Sequence, residues 1–112
     1  MEGFWTVQFQ GVQGFGGGAL TLVGGVVYGG DASFLYRGNY TQQGNNLTAR
    51  VHISRFAQGL ANAMGREEFD LELAGTLEQN TIRLTGTIPG TQLRLTATLT
   101  KQGDLPARAV AA

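Results

Sequence analysis

The chain has 112 residues, 18 of them glycine, with eight basic residues balancing eight acidic ones and no cysteine. Without cysteine there are no disulfides, no thiol nucleophile and no cysteine-ligated metal. The seven arginines and the single lysine are spread singly, so no phosphate-binding face and no direct nucleic-acid binding are expected.

Period-two alternation runs through most of the chain. Trp5, Val7 and Phe9 alternate with Thr6, Gln8 and Gln10, which predicts a half-buried first strand. Gly14-Phe15-Gly16-Gly17-Gly18-Ala19 then matches the string that cradles a pyrophosphate. That chemistry needs a helix after the glycines and an acidic residue about 20 positions on. Here Leu20-Thr21-Leu22-Val23 reads as a strand, so the glycines are read as a turn and not as a dinucleotide site. Residues 16–23 and 26–28 form the next two strands, and 33–40 places Phe34, Tyr36 and Tyr40 on one face.

The clearest alternation lies in 47–53, 67–77, 80–88 and 91–101, where Leu, Ile, Val and Phe face Thr, Arg, Glu and Asp. Gly24-Gly25, Gly29-Gly30-Asp31, Gly44-Asn45-Asn46, Gln79-Asn80 and Pro89-Gly90 supply turns between the runs. Residues 57–66 interrupt the pattern; Leu60 and Met64 suit a single helical turn, which Gly59 and Gly65 keep short, or a loop. The expected architecture is all-β: a small eight-stranded antiparallel up-and-down barrel over 1–102, followed by a flexible tail at 103–112. Closure puts Trp5, Val7, Phe9, Leu20, Leu22, Phe34, Tyr36, Leu71, Leu84 and Leu95 inside. No apolar stretch nears the roughly 20 residues of a membrane helix. The opening residues have no basic and apolar leader, so a cytoplasmic, non-membrane protein is expected.

Candidate chemistry is sparse. His52 is the sole histidine and sits on the polar side of its strand, with no second imidazole for a metal site. Glu68, Asp70 and Glu72, with Glu67 beside them, read as a solvated outer stripe, not as buried acid–base carboxylates. Ser33 and Ser54 have no nucleophile elbow. No catalytic residue, metal site or cofactor is expected, and the protein is read as a non-enzyme. An eight-stranded barrel has an interior that side chains fill or that holds one small ligand. Trp5, Phe9, Phe34, Tyr36, Tyr40 and Phe69 are the candidate lining of an apolar cavity, with a filled core the favoured reading.

In order, Gly3-Phe4-Trp5-Thr6-Val7-Gln8-Phe9, the run Gly16-Gly17-Gly18, Gly29-Gly30-Asp31 and Tyr36-Arg37-Gly38-Asn39-Tyr40 form a series that spans much of residues 1–100. This series resembles the GrlR-like family of small bacterial proteins, named for a negative regulator of type III secretion genes. The resemblance implies a lipocalin-like barrel, a homodimer, and action by sequestering a protein partner such as a transcriptional activator. Family members named for that role carry an acidic loop where this chain has Thr41-Gln42-Gln43-Gly44-Asn45-Asn46, with no carboxylate. Their partner surface therefore does not carry over. The alternative expectation is a carrier of a small apolar ligand in the barrel interior.

Two further expectations concern glycine. In the motif loop, Gly29 and Gly30 are read as supplying positive φ and Asp31 as capping the turn, with a recognition loop on the barrel rim as the functional alternative. Gly24, Gly25, Gly44 and Gly90 join them as turn glycines. Gly16, Gly18, Gly38, Gly75 and Gly86 share the parity of their strands' apolar residues, so they are expected to face inward, where they permit bending and leave room for rings.

Overall fold

A computed structural model describes residues 1–12, 14–58 and 65–106. Eight antiparallel strands are present among these residues: β1 (Gly3–Gly11), β2 (Gly14–Val23), β3 (Val26–Gly30), β4 (Phe34–Gln43), β5 (Asn46–Arg55), β6 (Glu68–Glu78), β7 (Thr81–Thr87) and β8 (Arg94–Gly103). Each strand pairs with its neighbour in sequence, and β8 pairs back onto β1, so the barrel is closed. Closure satisfies the backbone groups that an edge strand would leave bare. The expected all-β up-and-down barrel is the observed fold. Most of the 57–66 segment, residues 59–64, lies outside the described residues, as do 107–112 of the tail.

The alternation in the sequence is the alternation of the barrel wall. Trp5, Leu20, Leu22, Phe34, Tyr36, Ile53, Leu71, Leu84, Leu95 and Leu99 are all buried inside. Their neighbours Thr6, Gln8, Glu68, Asp70, Arg83, Thr96 and Thr98 face outward and are exposed. That is the inverse of a transmembrane barrel, whose outer band is apolar. Ile82, with no exposed surface, and Trp5, with 1%, are the most deeply buried large side chains. The Trp5 indole N–H donates to the Met1 carbonyl at 3.0 Å, which ties the N-terminus to the barrel and satisfies the ring's one polar group.

The inward glycines are explained by what a methyl group would meet. At Gly38 a Cβ would stand 2.0 Å from the Arg50 carbonyl oxygen, and at Gly75 1.8 Å from that of Arg83. Neighbouring strands therefore approach too closely for any side chain, as they must where a sheet coils tightly. Gly16 and Gly18 serve rings instead: Phe9 lies over Gly16, and the Tyr36 hydroxyl passes over Gly18, 2.6 Å from where a Cβ would be.

Two glycine expectations are corrected. The string from Gly14, read as a turn where it matches the pyrophosphate pattern, belongs to strand β2, which starts two residues before the expected 16–23; Gly16 and Gly18 lie within that strand as their parity requires. Gly29 and Gly30 lie at the end of β3 and do not have positive φ. Their requirement for glycine is steric, since a Cβ on Gly29 would sit 2.3 Å from the Ala19 carbonyl oxygen and one on Gly30 2.8 Å from that of Phe34. Gly24, Gly25, Gly44 and Gly90 do take positive φ in their turns, as expected.

Candidate functional site: the barrel cavity and its Asp31–Tyr36 pair

Connections alternate between the two ends of an up-and-down barrel. One end carries the β3–β4 turn, Asp31 to Ser33, together with the β1–β2, β5–β6 and β7–β8 connections. Asp31 organises its turn. Its backbone N–H donates to the Phe34 carbonyl at 2.9 Å, and its Oδ1 accepts from the amides of Ser33 (2.9 Å) and Phe34 (2.8 Å). This is an Asx-type cap, so the capping role expected of Asp31 is present although the positive φ is not.

The second oxygen of Asp31 has a different task. Tyr36 stands on β4 with its ring inside the barrel, and its hydroxyl donates to Asp31 Oδ2 at 2.5 Å. A phenol buried in an apolar interior needs such a partner. Burial first, then the hydrogen bond to Asp31 and the carboxylate's charge, push the Tyr36 hydroxyl far above the ordinary phenol range. Tyr36 therefore keeps its proton and its geometry. Its ring also meets Phe9 edge to face, with centroids 6.4 Å apart.

These residues border a cavity of about 90 Å³ in the barrel interior. Of the six expected lining residues, Phe9, Phe34, Tyr36, Tyr40 and Phe69 border it. Trp5 instead belongs to the packed core, where its indole is held by Met1. Aliphatic side chains such as Val7, Leu20, Ile53 and Leu84 make up most of the remaining wall, and Asp31 is the one charged residue on it among the described residues. The volume falls well short of the roughly 300–1,000 Å³ typical of sites for drug-sized molecules. At the same end Arg55 lies over the Phe34 ring, 4.7 Å from its centroid, and donates through Nη1 to the Ala57 carbonyl.

The outer face of β5 and β6 holds the acidic stripe. Glu68, Asp70 and Glu72 point outward and are exposed, as the alternation requires. The sequence alone does not show that the stripe is matched by bases across the ladder. Arg50 pairs with Glu72, and His52 lies between Asp70 (Nδ1 to Oδ1, 2.7 Å) and Glu68 (Nε2 to Oε2, 2.8 Å). His52 is thus held by two carboxylates and is not simply solvated. Those hydrogen bonds, to Asp70 first and Glu68 second, raise its pKa above the ordinary 6.5. Ser54 lies two residues from His52 on the same face of β5, opposite Glu68, but both ring nitrogens of His52 are engaged by Asp70 and Glu68; Ser33 is buried beside Asp31.

A second outward feature is apolar. Phe4 on β1, Tyr28 on β3 and Leu35 on β4 are 44%, 57% and 40% exposed. The register joins them: Phe4 lies opposite Thr21, Thr21 opposite Tyr28, and Tyr28 beside Arg37, two residues from Leu35 on the same face. The strand parity that buries Trp5 and Tyr36 pushes Phe4 and Leu35 outward. Alternation within one strand does not bring the three together, because their neighbourhood depends on pairing between strands.

In comparisons with known proteins, the chain matches no protein-family model and no curated protein is significantly similar to it.

Proposed function

We propose that the protein is a non-enzymatic contact module that works through the outer wall of its barrel. In this reading it acts like the negative regulators of the GrlR-like family that it resembles: a cytoplasmic homodimer that holds a protein partner such as a transcriptional activator. The carrying observation is the outward apolar group of Phe4 on β1, Tyr28 on β3 and Leu35 on β4, on a barrel wall whose other outward positions, Phe15 on β2 apart, are mainly polar. Clustered outward apolar side chains on a rigid sheet are the usual material of protein interfaces. Light scattering tests it. The wild-type chain should have the mass of a dimer, and Tyr28→Glu with Leu35→Glu should give a monomer that keeps the wild-type β-sheet circular dichroism spectrum and melts cooperatively, at a lower temperature because the stabilisation by association is lost. A wild-type monomer, or a dimer indifferent to both changes, removes this face from the account.

A second reading, a carrier for a small ligand, is favoured by the cavity itself. Its walls are apolar and its volume is about 90 Å³, enough for a few non-hydrogen atoms and too little for a long lipid. The two readings use opposite sides of the same wall and are compatible.

A further inference from the structure

Three side chains with an oxygen border the cavity: Asp31, Tyr36 and Tyr40. None brings its polarity inside. The Tyr36 hydroxyl donates to Asp31 Oδ2, and Asp31 Oδ1 accepts from the amides of Ser33 and Phe34, so this pair is satisfied within its own turn. Tyr40 lies opposite Ala49 and is half-buried; it carries the one other hydroxyl on the wall among the described residues. The surface that all these residues turn toward the cavity is almost wholly carbon.

Small side chains make the space. Ala97 on β8 stands opposite Phe9 on β1 and Leu84 on β7, and Ala49 on β5 stands between Tyr40 and Leu73. All six border the cavity, and a leucine at either alanine would reach into it. Water gains nothing there, because an enclosed water needs about two to four polar partners.

We infer that the barrel cavity is a binding site for a small, wholly apolar molecule, a hydrocarbon of roughly three to six carbons, that discriminates against any ligand carrying a polar group. The inference rests on the reading of the cavity as a ligand site and adds the chemical class. The size follows from the volume, which equals about three water molecules' share of the liquid. A hydrocarbon leaving water buries its surface against carbon, which is favourable in proportion to that area. A hydroxyl or an ether gives up its hydrogen bonds to water and finds no partner inside. A fatty acid adds the desolvation of a charge and is too long. By engaging each other, the Asp31 and Tyr36 oxygens keep the chamber dry.

The experiment follows the methyl resonances of Val7, Leu20 and Leu84 by NMR while xenon, cyclopentane, tetrahydrofuran, 1-butanol and decanoate are added separately. Xenon needs only an accessible apolar cavity, so its binding tests the ligand-site reading alone. Cyclopentane and tetrahydrofuran are rings of one size that differ by a single ether oxygen, and 1-butanol adds a donor. Wild-type protein should bind xenon, should bind cyclopentane at least about tenfold more tightly than tetrahydrofuran or 1-butanol, and should not bind decanoate. Ala97→Leu should lose both xenon and cyclopentane while keeping the β-sheet circular dichroism spectrum. Failure of xenon to shift the wild-type methyls overturns the cavity as a ligand site. Xenon binding with a smaller preference for cyclopentane, or with decanoate binding, overturns the apolar class and leaves the cavity reading intact. Cyclopentane binding that survives in folded Ala97→Leu overturns its placement in the cavity. The wild-type ratios decide the class even where Ala97→Leu does not fold.

Discussion

Replacing Gly38 by alanine tests the packing of the barrel most sharply, because the obstacle is backbone. The added methyl would lie 2.0 Å from the Arg50 carbonyl oxygen and 2.8 Å from the Val51 Cα, atoms that cannot rotate away. Relief requires the β4–β5 ladder to open by roughly 1 Å. Overpacking on that scale costs about 1–3 kcal/mol. Losing two ladder hydrogen bonds adds about 2 kcal/mol, while the stiffer unfolded chain returns about 0.4–1 kcal/mol. The net loss is about 2–5 kcal/mol, which for a domain of this size lowers the melting temperature by about 8–20 °C. Gly86→Ala meets the end of a flexible side chain, Leu73 Cδ2 at 2.8 Å, and should cost about 1 kcal/mol or less. Gly103→Ala meets nothing within 4 Å and should be neutral. Thermal melts by circular dichroism rank the three. Equal melting temperatures, or Gly103 as the most sensitive position, would refute the reasoning that close strand approach fixes these glycines.

Other predictions concern the polar pairs. His52 has a raised folded pKa, so its contribution to stability is fully present below about pH 6.5 and is lost as pH rises through the folded value. The melting-temperature gap between wild type and His52→Gln should therefore shrink as pH increases, and a gap that widens would show that the two carboxylates do not hold the imidazolium. Asp31→Ala strands the Ser33 and Phe34 amides and the buried Tyr36 hydroxyl, and should cost about 2–4 kcal/mol in urea unfolding. Tyr36→Phe leaves the turn capped and should cost about 1–2 kcal/mol, with a double-mutant cycle showing coupling of about 1 kcal/mol or more. Additive losses would mean the two side chains do not act together.

The strands were legible because each carries its own alternation: Leu47, Ala49, Val51 and Ile53 declare an inward face without reference to any partner. Inward glycines followed from the same parity. What depends on register was not legible. The match of Glu72 to Arg50 and of Asp70 and Glu68 to His52 exists only once β5 and β6 are paired, and the apolar group of Phe4, Tyr28 and Leu35 needs four adjacent strands. Gly29-Gly30 misled because glycine pairs before aspartate resemble turns, whereas here they admit the backbones of β2 and β4. One signal for the cavity pair was available: Tyr36 has inward parity, its hydroxyl requires a buried partner, and Asp31 is the nearest acid in the chain.

The central claim, that the protein works through contacts on the outer wall at Tyr28 and Leu35, is tested most directly by photo-cross-linking in the native host. A photoreactive side chain is placed at position 28, at 35, or at the outward position 98 on β8. The account predicts a discrete cross-linked species with a second protein from 28 and 35 and none from 98. The same products from all three positions, or none from 28 and 35, would contradict it.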